Sequence, residues 1–307
     1  MDHQALLEGV LGDVHAYRGQ GKPASYIPAL KGVDPRKFGI ALALRDGTTH
    51  IAGDGDESFS IQSISYVFSL ALALHHVKAA LWNHVGREPA GAAVNSIIQL
   101  ELAQGKPRNP LTGPGALVVC DQLIGRRGRA EAMAELLGFL RERAGDDGIG
   151  VDETIAMSES RAGAFNRSLA YFISAFGNLT NPPEDVLSLY YHQCSVAMSC
   201  RQLARAALFL AFDGIDTATG DAVCTPSRSR RVNALMLTSG HYDVSGDFAF
   251  RIGLPGKSAM SGAILAVIPG TGAVCVWSPG LTEAGTSLVG AIALERLVER
   301  TGWSVFV

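Results

Sequence analysis

The sequence contains little charge, and neither sign is in large excess. Only 18% of its 307 residues are charged, and 26 basic side chains against 29 acidic ones give a net charge of −3. A nucleic-acid-binding surface normally shows as a clear excess of Lys and Arg, and disordered chains are normally richer in charge. We therefore expect a folded protein without a nucleic-acid partner.

Long apolar runs are also absent. The mean hydropathy is +0.18, but Val67–Leu74 ends at two histidines and Ala206–Phe212 ends at Asp213. A helix that spans a membrane needs about 20 apolar residues. The first residues also lack the basic stretch and the apolar stretch that together mark a secretory signal. These features predict a cytoplasmic protein with no membrane partner.

The five cysteines are an odd number and follow no ligand spacing. They lie inside apolar segments, as Cys120, Cys194, Cys200, Cys224 and Cys275. Without a Cys-x-x-Cys or a His-rich stretch, nothing indicates a metal site, and no glycine-rich loop is placed to hold a phosphate group. We predict buried thiols in a reducing compartment and no cofactor.

Hydrophobic periodicity divides the chain into three parts. Residues 4–19 have helical spacing, and Phe38–Leu44 and Thr48–Ala52 predict two strands joined by an Asp-Gly turn. A helix is predicted to begin near Gln62, and residues 80–223 are mostly helical in pattern. The last part is predicted to contain three strands and a closing helix, over Phe248–Leu254, Ser261–Ile268, Ala273–Ser278 and Thr286–Thr301.

Strands near both ends, with helices between them, predict an α/β protein of the α+β type. The two ends would form one antiparallel sheet flanked by helices, and an all-helical lobe would be inserted beside it. We predict one unit over residues 1–307, with an α/β lobe formed by residues 1–75 and 225–307. Residues 76–224 would form the helical lobe.

A serine opens the helix that is predicted near Gln62. Ser63 has an ordinary explanation as a helix cap, whose hydroxyl accepts a backbone N–H, and this is the more frequent role for a serine at such a place. The same place suits a nucleophile, because a helix N-terminus stabilises the charge of an oxyanion. Position 66 lies one turn further on the same face, where a base would reach the serine.

Lys257 is a second candidate, in the run Gly256-Lys257-Ser258. Serine acyl-transferases of the penicillin-recognising type combine a Ser-x-x-Lys helix with a Lys-Thr/Ser-Gly strand. A solvated lysine before an edge strand is common, so this dipeptide alone is weak evidence for such an enzyme.

Longer segments make the interpretation specific. The matching runs lie in order along almost the entire chain, among them FSIQSIS at 59–65, GKPRNP at 105–110, GALVVCD at 115–121, TSG at 238–240, GLP at 253–255 and VWSP at 276–279. In these segments the chain resembles the serine-dependent glutaminase family. The resemblance implies a fold like that of β-lactamases and penicillin-binding proteins, and hydrolysis of L-glutamine to L-glutamate and ammonia.

The resemblance also implies roles for the catalytic residues. Ser63 matches the nucleophile, which would form a glutamyl-enzyme that water hydrolyses. Tyr26 and Tyr242 match two tyrosines that would relay protons to the leaving amine.

Further matches concern the substrate. Glu159 matches the carboxylate that holds the substrate α-ammonium, and Asn166 and Tyr190 match positions that bind the amino-acid end. Met260 matches a position whose backbone N–H, with that of Ser63, would bind the oxyanion. Taken one at a time, Tyr26 and Tyr190 are better explained as packed core tyrosines, and Asn166 and Glu159 as solvated helix positions. The family match favours the functional roles, because several of these residues fall at matching places in one set of motifs.

The sequence departs from the family pattern around the same pocket. Tyr66 stands where the motif has its general-base lysine, and Gly113 stands where it has a substrate-binding Asn. The other differences are Pro114, Phe165, Ala259 and Ser261. A phenol with a pKa near 10 is a poor base. Our hypothesis is that the cation of Lys257 lowers the pKa of Tyr66, or that Tyr26 or Tyr242 shares the task of the base.

These departures leave three functions open. The protein is a glutaminase, slow or with a substitute base; or an amidase for another amide, with Gly113 enlarging the pocket; or a protein that binds glutamine or glutamate without turnover. We place the glutaminase first, because the nucleophile and most ligand contacts are retained. The resemblance further implies a homodimer or homotetramer.

Overall fold

A computed structural model describes residues 1–25, 27–90, 96–125 and 127–306 of the chain. The strands are β1 (Gly39–Leu44), β2 (Thr49–Gly53), β3 (Phe59–Ser60), β4 (Gly150–Val151), β5 (Val196–Met198), β6 (Gly256–Ser258), β7 (Ala263–Ile268) and β8 (Gly272–Trp277). The helices are α1 (His3–Val14), α2 (Ser65–His76), α3 (Leu81–His84), α4 (Ile97–Leu102), α5 (Gly113–Ile124), α6 (Arg129–Ala144), α7 (Glu153–Ala162), α8 (Ala164–Ala175), α9 (Pro183–Cys194), α10 (Cys200–Ala206), α11 (Leu208–Ala211), α12 (Pro226–Ser239), α13 (Ser245–Arg251) and α14 (Leu288–Thr301).

The two ends of the chain form one antiparallel sheet, as the sequence predicts. Its five strands lie in the order β2-β1-β8-β7-β6, and Ile40 of β1 and Ile264 of β7 both pair with Val276 of β8. Strands from residues 39–53 are therefore neighbours of strands from residues 256–277.

Both faces of this sheet are covered, which explains why its central strands are apolar throughout. Leu42 and Val276 belong to the core on the side of α1 and α14. Ala43 and Cys275 belong to the larger core on the side of α10. Because successive side chains point to opposite faces of a strand, strands covered on both faces need apolar residues at every position.

Helix α2 lies inside the helical part of the molecule. Its residues 65–74 are all buried, and it packs against α5, α6 and α12. A helix surrounded in this way is held on all sides. The turn just before it, which contains Ser63, therefore has a fixed position relative to the sheet.

One predicted strand is wrong. Phe248–Leu254 contributes most of helix α13, and the edge strand of the sheet is β6 instead. In strand alternation Phe248, Phe250 and Ile252 would share a face, but Phe250 is 90% exposed while Phe248 and Ile252 are 5% and 2% exposed. Burial at i and i+4 with exposure at i+2 is the helical pattern.

The sequence also gave no signal for a second, small sheet. Its strands lie in the order β3-β5-β4, with Phe59 opposite Met198 and Val151 opposite Val196. Strands of two or three residues are too short to show a period.

Among the described residues, no helix has the length and apolar character needed to cross a membrane.

Candidate active site

A cleft of about 410 Å³ collects most of the residues singled out in the sequence. Its lining includes Ser63, Tyr66, Gly113, Glu159, Asn166, Tyr190, Tyr242 and Met260, which are far apart in sequence. Lys257 lies below the cleft and contacts Ser63. Tyr26 lies outside the described residues, although its neighbour Ile27 lines the cleft.

Ser63 does not act as a helix cap. It lies in a 3₁₀ turn, Gln62–Ile64, that leads into α2. Its Oγ lies 2.6 Å from the hydroxyl of Tyr242 and 3.0 Å from the carbonyl oxygen of Ser258. The hydroxyl is thus directed toward residues from the C-terminal part of the chain, across the cleft from its own helix.

Lys257 approaches Ser63 from the edge strand β6. Its side chain is fully buried, and Nζ lies 3.4 Å from Ser63 Oγ, 3.1 Å from the carbonyl oxygen of Gly240 and 2.6 Å from that of Ser258. Burial lowers the pKa of Lys257 to about 7, because the charged form of an amine loses its hydration. Near neutral pH, a large fraction of this lysine is therefore the free amine.

Tyr242 completes the contacts of Ser63 Oγ. It has a φ of +55° in the turn after α12, and Nζ of Lys257 lies 4.2 Å from the centre of its ring. Burial raises the pKa of Tyr242 to about 12, so its hydroxyl keeps its proton at neutral pH and can donate it to a neighbour.

Tyr66 does not contact Ser63 in the way a base at that position would. Its hydroxyl lies 2.7 Å from that of Tyr190, and Lys257 Nζ is 5.9 Å from the centre of its ring. Burial raises the pKa of Tyr66 well above its usual value. The hypothesis that Lys257 lowers the pKa of Tyr66 is therefore wrong, because desolvation of the phenolate is the larger effect.

Glu159 is a buried carboxylate at the other side of the cleft. It lies near the end of α7 and is 6% exposed, and its Oε1 accepts a hydrogen bond of 2.6 Å from Gln62 Nε2. Burial raises its pKa to about 7, and the bond from Gln62 partly opposes this change. Among the described residues no Lys or Arg forms an ion pair with this carboxylate.

The remaining predicted positions form the walls of the cleft. Gly113 is the first residue of α5, Asn166 lies in the first turn of α8, and Tyr190 lies in α9. Met260 follows β6 in the turn before β7. Phe165, which stands beside Asn166, is 50% exposed at the cleft.

Gln62 is a buried residue of the site for which the sequence predicts no role. Its side chain bonds to Glu159, to Ser60 Oγ at 3.2 Å and to the carbonyl oxygen of Cys194 at 3.3 Å. Its φ of +49° is unusual for a residue with a side chain, so these buried bonds hold a strained turn. The only signal was its place beside Ser63 in the matched segment.

Two exposed carboxylates at the mouth of the cleft, Asp243 and Glu283, were also missed. Nothing in their sequence surroundings distinguishes them from other surface acids. Within the described part of the chain, no group of three or more His, Cys, Asp or Glu side chains is arranged to hold a metal ion.

Comparison with known proteins identifies the family. A family model described as Glutaminase matches residues 21–306. A glutaminase from Rhizobium rhizogenes is 53% identical over 305 residues, which cover 99% of each chain. A thermolabile glutaminase from Rhizobium etli is 52% identical over the same share of both chains.

Solved structures agree with these relatives. A probable glutaminase named ybaS superposes with a TM-score of 0.93 at 32% identity, covering 99% of this chain and 97% of its own. A probable glutaminase from Bacillus subtilis, complexed with 6-diazo-5-oxo-L-norleucine, superposes with a TM-score of 0.90 at 29% identity, covering 100% and 98%. The protein therefore has the serine β-lactamase-like fold and belongs to the glutaminase family, the amidohydrolases that convert glutamine to glutamate.

Proposed function

We propose that the protein hydrolyses L-glutamine through a covalent intermediate on Ser63. The observation that carries the proposal is the surroundings of Ser63 Oγ, which lies in the cleft between the Tyr242 hydroxyl and the amine of Lys257. A serine is a weak nucleophile unless a neighbouring group takes its proton. Attack on the γ-carbonyl carbon would release ammonia and leave a glutamyl ester, which water then hydrolyses to glutamate.

Glu159 binds the α-ammonium of the substrate in this proposal. A buried carboxylate without a cation is unfavourable, and the ammonium of glutamine supplies the missing charge. Asn166 and Tyr190, from α8 and α9, also line the cleft and hold the amino-acid end. Binding of the free amino acid therefore compensates an electrostatic cost that the empty site carries.

The reacting amide lies at the opposite end of the cleft. The backbone N–H groups of Ser63 and Met260 bind the oxyanion, which is a common arrangement in acyl transfer. Tyr242 relays a proton to the leaving amine, because its protonated hydroxyl lies 2.6 Å from Oγ. Tyr26 is proposed for the same relay on the family resemblance alone.

Two measurements test the serine mechanism. Glutamate production from L-glutamine by the purified protein should disappear in Ser63→Ala, while Ser96→Ala, a helix cap of α4 away from the cleft, should keep the activity. Incubation with 6-diazo-5-oxo-L-norleucine should add one adduct, which peptide mass spectrometry locates at Ser63. Turnover that persists in Ser63→Ala would contradict the proposal, as would an adduct on another residue.

We also propose a homodimer or homotetramer in a reducing cytoplasm. The assembly is proposed on the family resemblance, and Phe250, which is 90% exposed, is a candidate contact with another subunit. All five cysteines are buried free thiols, as expected where glutathione keeps thiols reduced. Sedimentation velocity should show an assembly larger than one chain of 32.3 kDa, and Phe250→Ser should weaken that assembly. A monomer at every protein concentration would contradict the proposed oligomer.

A further inference from the structure

The hydroxyl of Tyr66 already has a partner. Tyr66 is 4% exposed, its hydroxyl lies 2.7 Å from that of Tyr190, and the thiol of Cys194 contacts it at 4.0 Å. To act as a base, a phenol must first lose its proton, and burial among neutral groups disfavours that charge. Tyr66 is therefore a neutral hydrogen-bonding partner that positions Tyr190 at the wall of the cleft.

The hydrogen-bond partners of Lys257 leave the lone pair of its neutral amine available to accept one proton. Nζ contacts three oxygens, and two of them are the carbonyl oxygens of Gly240 and Ser258, which can only accept. A neutral amine has two N–H bonds and one lone pair. When the two hydrogens point to the two carbonyls, the lone pair faces the third oxygen, Ser63 Oγ. The hydrogen of Oγ, which is donated to the carbonyl oxygen of Ser258 at 3.0 Å, then turns to Nζ.

From these contacts we infer that neutral Lys257, and not the residue at position 66, is the general base that takes the proton of Ser63. A lysine on the edge strand β6 thus replaces the lysine that the Ser-x-x-Lys motif places on the helix. This inference rests on the serine mechanism proposed above and names the base that the mechanism needs.

The proton and the bonds balance through one cycle. As Ser63 Oγ bonds to the side-chain amide carbon (Cδ) of glutamine, its hydrogen moves to Nζ and Lys257 becomes an ammonium. With the Tyr242 hydroxyl as relay, that proton passes to the amide nitrogen, the C–N bond breaks and ammonia leaves. Lys257 then takes a proton from the attacking water, and this proton returns to Oγ when glutamate is released.

Among the described residues, no carboxylate forms an ion pair with Lys257, so its ammonium has no counterion. The ring centres of Tyr242 and Tyr66 lie 4.2 Å and 5.9 Å from Nζ, the Cys194 thiol acts on it from α9, and His241 lies beside β6. Burial holds the pKa of His241 well below its usual value, so all four groups are neutral near pH 7. Desolvation therefore dominates, and the free amine forms at neutral pH.

Steady-state kinetics separate the two candidate bases. Lys257→Met should lower kcat by about 10²–10⁴-fold, the usual effect of losing a general base. Tyr66→Phe should lower kcat by less than about threefold and raise KM by roughly fivefold, because Tyr190 loses one neutral hydrogen bond. Lys106→Met is the matched control: this lysine donates to the carbonyl oxygen of Trp82, outside the cleft, and its loss should leave kcat unchanged.

Two further readouts distinguish a base from a structural lysine. In Lys257→Ala, methylamine should restore kcat in a saturable manner, whereas trimethylamine, which is bulkier than the lost side-chain end, should not. In the unaltered protein, kcat should rise as the pH is raised through about 7, where the amine of Lys257 loses its proton. This measurement needs no variant. A titration of Glu159 acts on substrate binding and belongs in kcat/KM, so the two groups are measured separately.

Several results would overturn the inference. The first is a kcat of Lys257→Met that stays within about threefold of that of the unaltered protein. The second is a collapse of kcat in Tyr66→Phe. The third is a kcat of the unaltered protein that does not change between about pH 5.5 and pH 9. A Lys257→Ala protein that binds glutamate, as shown by a raised melting temperature, and gains nothing from methylamine would also overturn it. Failure of the serine mechanism itself would be seen separately, as turnover in Ser63→Ala.

Discussion

Replacing Glu159 by glutamine tests how much stability the protein loses by keeping a charge in the cleft. The carboxylate is 6% exposed and accepts a hydrogen bond from Gln62. A glutamine at this position has nearly the same shape and still offers a carbonyl oxygen to Gln62. The substitution therefore removes the buried charge with little change in packing, and with it the proposed partner of the substrate ammonium.

The size of the effect follows from the pKa. Burial raises the pKa of Glu159 from 4.5 to about 7, and each pKa unit corresponds to about 1.36 kcal/mol. The protonated form is the one that the folded state favours, so the folded state loses stability as pH rises from 4.5 to 7. The free energy of unfolding of Glu159→Gln should exceed that of the unaltered protein by roughly 1 kcal/mol at pH 5 and roughly 3 kcal/mol at pH 8.

Urea unfolding at pH 5 and pH 8, with activity measured in parallel, is the assay. We expect the variant to be more stable and to have lost most of its kcat/KM for L-glutamine. Glu283→Gln is the matched control, because that carboxylate lies exposed at the mouth of the same cleft and should change stability by less than about 0.5 kcal/mol. A stability difference for Glu159→Gln that is the same at both pH values would refute the reasoning.

Three other predictions test the packing and the charges of the protein. Gly163→Ala would bring its Cβ against the Tyr191 hydroxyl, so thermal unfolding should show a loss of stability of about 1–3 kcal/mol, together with lower activity. The control is Gly138→Ala, which has open space in α6 and should gain about 0.5–1 kcal/mol. Equal effects of the two substitutions on stability would contradict this prediction. Asp121→Asn should lower the free energy of unfolding in urea by roughly 2–3 kcal/mol and leave kcat unchanged, because this carboxylate accepts four hydrogen bonds from residues 180–181. A free energy of unfolding within about 0.5 kcal/mol of that of the unaltered protein, the size of a surface effect, would count against this prediction. Burial lowers the pKa of Lys257 to about 7, so the stabilising effect of Lys257→Met should be larger at pH 7 than at pH 10, and the opposite order would exclude a buried, titrating amine.

The sheet could be predicted because its strands need a pattern that few other elements share. Phe38–Leu44 and Ala273–Ser278 are short apolar runs bounded by turn residues, and they occur in the structure as β1 and β8 within one or two residues. The run at 248–254 is also mostly apolar, and its length allows either a strand or two turns of helix. The burial of its side chains decides between strand and helix, and that burial depends on which other parts of the chain pack beside it.

The candidate site could be predicted where a residue's type alone limits its chemistry. A serine before a buried helix and a lysine before a strand are readable from the sequence, and the structure brings Ser63 and Lys257 into contact. Gln62 could not be found in this way, because a glutamine in an apolar segment gives no signal of strain or of a buried partner. Its role depends on Glu159, which reaches it from another helix.

Position 66 shows why a motif along one helix is an incomplete description of this chemistry. A base for Ser63 must be neutral near pH 7 and must have a lone pair within reach of Oγ. Both properties come from the surroundings: the carbonyl oxygens of Gly240 and Ser258 orient the amine of Lys257, and burial makes it neutral. None of these groups lies on α2, so a substitution on α2 can remove the expected lysine while an amine remains beside the serine. Tyr66 then serves the site by holding Tyr190, a role in which a phenol must remain protonated.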